Sequence, residues 1–452
     1  MRITQKEKQI ETPYVQHTFG DEAYRKLRSR QGWLTAAVAS SIPWPPRDVC
    51  VQYAGEEYFL RGSEQDGRVS PPCITIACEN SNVDEAISKI YRFTSILGWF
   101  LRGYVDVSGY TSGSHPVLYS VQRATYSTTG CAGDKVFSCN HMPIIQSENL
   151  RKALAFWREG MRLKHVHDSY AFLSFYKVIE SQFASPNEKV AWFNDNIEKL
   201  TGKANDRVTQ LRTDNVDVNR HLFESGRCAI AHASLTGEIV DPDIPTDRRR
   251  LSEDLVVIQE LASLCIREYL GVPDEMDLYE TRNRLAPWES LLDEATLISL
   301  KSGQSSDGIM SLNGLQVSVG IWPDEPIAQF TDMTLFVMDL DNGVVKVGLL
   351  NRTESVLLVF YLDFPNGRLH TSLEENGLHR DLNLLDESIV IAYHTFFHKI
   401  IGNKIAELHC QDCEPIDCEV VIPVNIIPRN PEEAVTEALE KFRRDRESLN
   451  LT

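Results

Sequence analysis

Arg227 and His232 lie five residues apart in the run Arg227-Cys228-Ala229-Ile230-Ala231-His232, and the two residue types suit one kind of chemistry. A histidine titrates near neutral pH, so it can take up or deliver a proton. An arginine offers phosphate oxygens a planar, permanently charged fork. Together they fit cleavage of RNA by its own 2′-hydroxyl, where a base removes the hydroxyl proton and a cation stabilises charge developing on the phosphate. That reaction needs no metal. On an α-helix, five steps of 100° leave the two side chains roughly 140° apart. They cannot stack on one face as i, i+4 partners do. The spacing serves a common site best when a second copy of the helix approaches across a two-fold axis.

The helix that must carry this pair is read from about Val218 to Ser234, the fifth of five or six in residues 147–272. Ser147 offers an N-cap to a first helix reaching about Leu163. Asp168 is the expected cap of a second helix, so apolar from Tyr170 to Ile179 that much of it must be buried. Pro186 opens a third helix and Asp206 a short fourth, through Leu211. Thr246 caps the longest, which stops at Leu270-Gly271-Val272-Pro273. Short connections between such helices make a bundle.

The flanks read differently. In residues 1–146, Val49–Tyr53 and Glu57–Leu60 form a hairpin about Ala54-Gly55-Glu56, Cys73–Cys78 is a strand, and Val83 to about Arg102 is an amphipathic helix. In residues 273–452, Asp341-Asn342-Gly343 joins two strands, 334–340 and 344–350. A third strand follows at 356–362, then a helix from about Leu385 to Leu408, a strand at Val420–Ile427 and a helix from Pro431. The expected architecture is therefore multidomain α+β. A central all-α bundle (147–272) is flanked by an α+β domain of unassigned role (1–146) and an acidic α+β domain with an antiparallel sheet (273–452).

Composition narrows the function classes. The net charge of −18 opposes nucleic-acid binding until it is resolved by segment. Residues 1–146 carry +1, residues 147–272 carry −2, and residues 273–452 carry −17. RNA contact is thus expected from residues 1–272, through a local patch. The apolar runs are all too short for a membrane span, and the N-terminus lacks the apolar core of a secretory signal. Ten cysteines without scaffold spacing fit reduced thiols in the cytoplasm.

Residues 147–272 resemble a HEPN domain, in its Apea-like or MauJ-like branch. The resemblance is carried by Tyr170-Ala171-Phe172-Leu173-Ser174-Phe175-Tyr176-Lys177-Val178-Ile179-Glu180 and by Gly226-Arg227-Cys228-Ala229-Ile230-Ala231-His232-Ala233. It implies a helical bundle, commonly a homodimer. It further implies a metal-independent endoribonuclease of defence or toxin–antitoxin systems, with Arg227 and His232 as catalytic pair and Glu180 as partner of Arg227. No cofactor, no metal, no DNA and no membrane partner is expected. One position departs from the active pattern: the residue after the arginine is usually polar, and here it is Cys228, a weak hydrogen-bond donor. The alternative is a non-catalytic scaffold in which the bundle pairs subunits.

Two other groups of residues have chemical potential. Arg248-Arg249-Arg250 follows the pair and is the expected RNA-binding run, although arginines there oppose the helix dipole and also suit a solvated first turn. Cys410, Cys413 and Cys418, with His409 and with His394 and His398 upstream, offer zinc-ligand types. One C-x-x-C without a matching second pair leaves metal outside the expected site.

Overall fold

The computed structural model describes residues 14–28, 32–65, 68–69, 71–78, 82–116, 136–164, 166–231, 240–241, 244–402, 404–418 and 429–450. The fold is mixed α+β. The chain divides into two compact units, the first reaching Glu280 and the second running from Thr281. No helix among the described residues is long and apolar enough to cross a membrane.

The first unit opens with an antiparallel sheet of strands β1 (Gln16–Phe19), β2 (Trp33–Ser40), β3 (Val49–Tyr53), β4 (Glu56–Arg61), β7 (Cys73–Ala77) and β8 (Val105–Gly113), in the order β1-β3-β4-β7-β2-β8. A two-stranded ribbon, β5 (Glu64–Gln65) and β6 (Arg68–Val69), lies outside it. The β3–β4 hairpin turns on Ala54 and Gly55, both with positive φ, the conformation that matches a two-residue turn to strand twist. Alternation then sorts side chains to two faces. Trp33, Cys50 and Phe59 pack with Ala23 and Leu27 of α1 (Gly20–Arg28), while Leu34, Val51, Leu60 and Ile74 join the main core. Helix α1 was not legible in the sequence because it buries only those two residues, one turn apart.

On the main-core face lies α2 (Val83–Phe100), followed by the helices α3 (Glu148–Leu163), α4 (Asp168–Glu180), α5 (Pro186–Ile197), α6 (Gly202–Thr213), α7 (Val218–His221), α8 (Ala229–Ala231) and α9 (Pro245–Leu264). The boundary read near residue 146 falls inside this unit. Trp99 of α2 meets Trp157 of α3 edge-on at 5.1 Å, and Trp157 meets Phe175 of α4 at 5.2 Å, so sheet layer and bundle share one continuous core. Gly160 makes room for Phe175, whose ring lies 2.6 Å from where a Cβ would stand. Three helix starts differ from the sequence reading. Helix α4 begins at Asp168 itself, with His167 at the cap; α6 starts four residues early at Gly202; and α9 starts at Pro245, not behind a Thr246 cap. Proline at the first helical position is pre-set for the helix and has no N–H to leave unsatisfied.

The second unit follows α10 (Glu275–Thr281) and holds an antiparallel sheet in the order β13-β12-β11-β10-β9-β15-β16, with β14 beside β12. Its strands are β9 (Gln316–Ile321), β10 (Met333–Asp341), β11 (Val344–Leu350), β12 (Val356–Asp363), β13 (Arg368–Thr371), β14 (Gly377–Leu378), β15 (Ala406–Cys410) and β16 (Ile416–Cys418). The β10–β11 hairpin turns on Asn342 and Gly343, both with positive φ. The unit's α-helices among the described residues include α11 (Glu294–Lys301), α12 (Glu387–Ile401) and α13 (Pro431–Asn450). The helix read as far as Leu408 is corrected here: α12 ends at Ile401, before Gly402, and Leu408 lies in β15 opposite Val319. The expected strand at Val420–Ile427 lies outside the described residues.

Candidate active site

Arg227 is carried by a helix that changes pitch. Asp217 caps α7 by accepting the Arg220 amide at 2.9 Å, and the chain then runs as a π-helix from Leu222 to Cys228 before returning to α geometry in α8. Widened turns of this kind are frequent at functional sites. Gly226 sits in the widened turn, and a Cβ there would stand 2.5 Å from the Phe172 ring of α4. The close approach brings Arg227 to the C-terminal end of α4. The 140° separation expected of Arg227 and His232 assumed α geometry, which holds only from Ala229 to Ala231. His232 lies outside the described residues.

Around Arg227 the charges alternate. Its Nη2 donates to Glu180 Oε2 at 3.5 Å, and Lys189 Nζ donates to Glu180 Oε1 at 3.2 Å. Glu180 therefore stands between two cations, and both it and Arg227 remain partly open to solvent. Lys189 also lies 5.3 Å over the rings of Tyr176 and of Phe223. Burial, and after it the negative charge of Glu180, pushes the Tyr176 phenol well above the ordinary tyrosine range, so it stays protonated at physiological pH. Cys228 is half-buried beside this group.

A second cluster adjoins the first and was missed by the sequence reading. Asp254 of α9 is fully buried, with Arg207 Nε and Nη2 at 2.9 and 2.8 Å from Oδ1 and His221 Nε2 at 2.8 Å from Oδ2. Arg250 lies 3.9 Å from the same carboxylate and donates from Nη1 to the Ser225 carbonyl at 2.8 Å. The signal was present: Asp254 shares the helical stripe of Leu251, Leu255 and Ile258, and a charge on an apolar stripe calls for buried partners. Of the expected RNA-binding run, Arg250 thus ties α9 to the π-helical turn, whereas Arg248 and Arg249 are exposed in the first turn of α9.

In the second unit, Cys410 and Cys418 are buried on the paired strands β15 and β16, and Cys413 is half-buried in the turn between them. Burial, then neighbouring Cys413, pushes the Cys410 thiol above its ordinary value. His394 and His398 stack at 6.2 Å on α12. Among the described residues, no three His, Cys, Asp or Glu side chains are placed to hold a metal ion.

The fold and this cluster define a mixed α+β protein whose helical layer pairs an arginine of a π-helical turn with a glutamate at the end of α4. The sequence model of one family, described as methylamine utilization protein MauJ, matches residues 153–267, from α3 to the end of the bundle. The match spans this cluster and leaves both flanks outside it. No curated protein and no solved structure matches the chain.

Proposed function

We propose that residues 147–272 form a HEPN-type, metal-independent endoribonuclease module, acting in the cytoplasm as a homodimer and serving as a defence or toxin-type effector. The observation that carries this reading is Arg227, presented on a widened helical turn and oriented by Glu180 at 3.5 Å. The MauJ match over the same residues supports it through that family's relation to the HEPN-like fold. In the proposed reaction the ribose 2′-oxygen attacks phosphorus and the bond to the 5′-oxygen breaks. His232 takes the 2′-hydroxyl proton or supplies one to the leaving 5′-oxygen, and Arg227 stabilises the charged phosphate. Products are a 2′,3′-cyclic phosphate and a 5′-hydroxyl, with no metal consumed or required. Exposed Arg248 and Arg249 supply the phosphate contacts that position the strand.

The test is incubation of the purified chain with mixed RNA in EDTA, beside His232→Ala and Arg227→Ala variants. The wild type should cut and both variants should not. RNA left equally intact by wild type and His232→Ala sinks the reading. A non-catalytic dimerisation scaffold is the second reading, favoured by Cys228 at the usually polar position and by the pairing of Arg227 within its own bundle. It calls for a dimer in sedimentation with RNA uncut.

A further inference from the structure

Where β3, β4, α2 and α3 meet, the first unit holds a cavity of about 240 Å³. None of its lining residues lies on the helix that carries Arg227. Its inner end is aromatic: Tyr58 and Phe93 stack at 4.1 Å and 9°, and Tyr53 tilts against both at 6.5 and 5.8 Å. All three rings are buried. The Tyr53 hydroxyl is fixed by donating to the Pro143 carbonyl at 2.8 Å and accepting the Ile145 amide at 3.1 Å.

The outer end is cationic. Lys89, Arg92, Arg151 and Arg158 line the cavity against a single carboxylate, Glu56. Arg158 is buried and held rigidly, donating from Nη1 to the Tyr91 carbonyl, Thr94 Oγ1 and Ser95 Oγ at 3.0 to 3.3 Å. Glu56 is taken by Lys89 at 2.6 Å. Arg92 and Arg151 share Glu148, at 4.0 and 2.5 Å, and that carboxylate is 65% exposed and outside the lining. An exposed shared carboxylate contributes little and yields readily to a competing anion. Aromatic floor and arginine mouth recognise different halves of one ligand.

The geometry points to a binding site for a small planar anion, a single aromatic ring system bearing a phosphate or a carboxylate. Its ring lies against Tyr53 and Tyr58, which Phe93 backs, and its charge lies between Arg92 and Arg151. The cavity is smaller than the roughly 300 Å³ at which drug-sized ligand sites begin, so the ligand is limited to one aromatic ring system. The site stands apart from the ribonuclease reading and is tested without it.

Isothermal titration of the full chain with AMP and with 4-hydroxybenzoate separates the phosphate from the carboxylate source, with adenosine and ribose 5-phosphate as half-ligands. At least one ring-bearing anion should saturate at a Kd on the order of 0.1 mM, with each half-ligand at least about tenfold weaker. Arg92→Gln with Arg151→Gln should weaken the binding about tenfold without lowering Tm, since both side chains reach solvent. Ala155→Phe, which fills the cavity from α3, should abolish it. The inference is overturned if neither ring-bearing anion saturates by about 10 mM. It is equally overturned if ribose 5-phosphate binds as well as AMP, or if the Ala155→Phe protein, still folded by circular dichroism, binds as the wild type does.

Discussion

Two carboxylates near the candidate site have unequal energetic weight, and the difference follows from solvent. Asp254 is buried and faces Arg207, His221 and Arg250. Its removal takes the buried partner from Arg207 and His221 and leaves Arg207 only the exposed Glu253 at 2.9 Å, so Asp254→Ala should cost about 3–5 kcal/mol in urea denaturation. Glu180, partly exposed, pairs at longer range, and Glu180→Gln should cost less than about 1 kcal/mol. Its effect belongs to chemistry: with Arg227 no longer oriented, RNA cleavage should fall about tenfold while Tm holds. A Glu180→Gln protein that is markedly unstable yet cuts normally would assign the pair to folding. His17 adds a pH dependence. Burial, then nearby His141, lowers its pKa to about 4 from the usual 6.5, against a backbone contact at Val15 that raises it. The folded state therefore keeps His17 neutral where the unfolded chain takes up a proton. Its contribution is complete above pH 6.5 and is lost as pH falls toward 4. Stability should drop by about 2 kcal/mol between pH 7 and pH 5, and His17→Gln should flatten that slope. An unchanged slope in the variant would place the acid sensitivity elsewhere.

The element that matters most is the π-helical turn, and one glycine controls it. Gly226→Ala drives a methyl group into the Phe172 ring and should destabilise the first unit by about 1–3 kcal/mol. Because Arg227 is the next residue, cleavage should fall by more than the loss of folded protein explains, measured as specific activity against the folded fraction. Proportional losses would separate the turn from the site. Much of this element was legible: apolar spacing located the helix from Val218, and it runs as helix through Ala231. The change of pitch was not: its tight neighbour at Gly226 is Phe172, distant in sequence, and no local pattern marks it. Hairpins at Ala54-Gly55 and Asn342-Gly343 were legible because turn chemistry is local. Strands β9 and β15 were passed over although Val317, Val319 and Ile321 alternate; β15 abuts α12, whose apolar run hid the break at Gly402. His221 escaped notice because its partner Asp254 is thirty-three residues away.

For the molecule as a whole, the acidic charge sits in residues 273–452, with −17 of the total −18, so a protein this acidic is not thereby barred from RNA. Under the proposed function, the nearly neutral residues 1–272 bind RNA through a small patch, and pairing two copies doubles that patch. Subunit pairing also bears on the site itself. Under the proposed function, a homodimer can build each site from Arg227 of one subunit and His232 of its partner. Mixing inactive Arg227→Ala and inactive His232→Ala subunits tests it. Random exchange makes about half of the dimers mixed, and each mixed dimer holds one intact site of two, so activity should return to about a quarter of wild type. A site contained within one subunit gives none, because every subunit in the mixture lacks one of the two residues. Mixed dimers verified by native mass spectrometry that remain inactive would therefore reject the shared site, and a recovery near a quarter would exclude the single-subunit one.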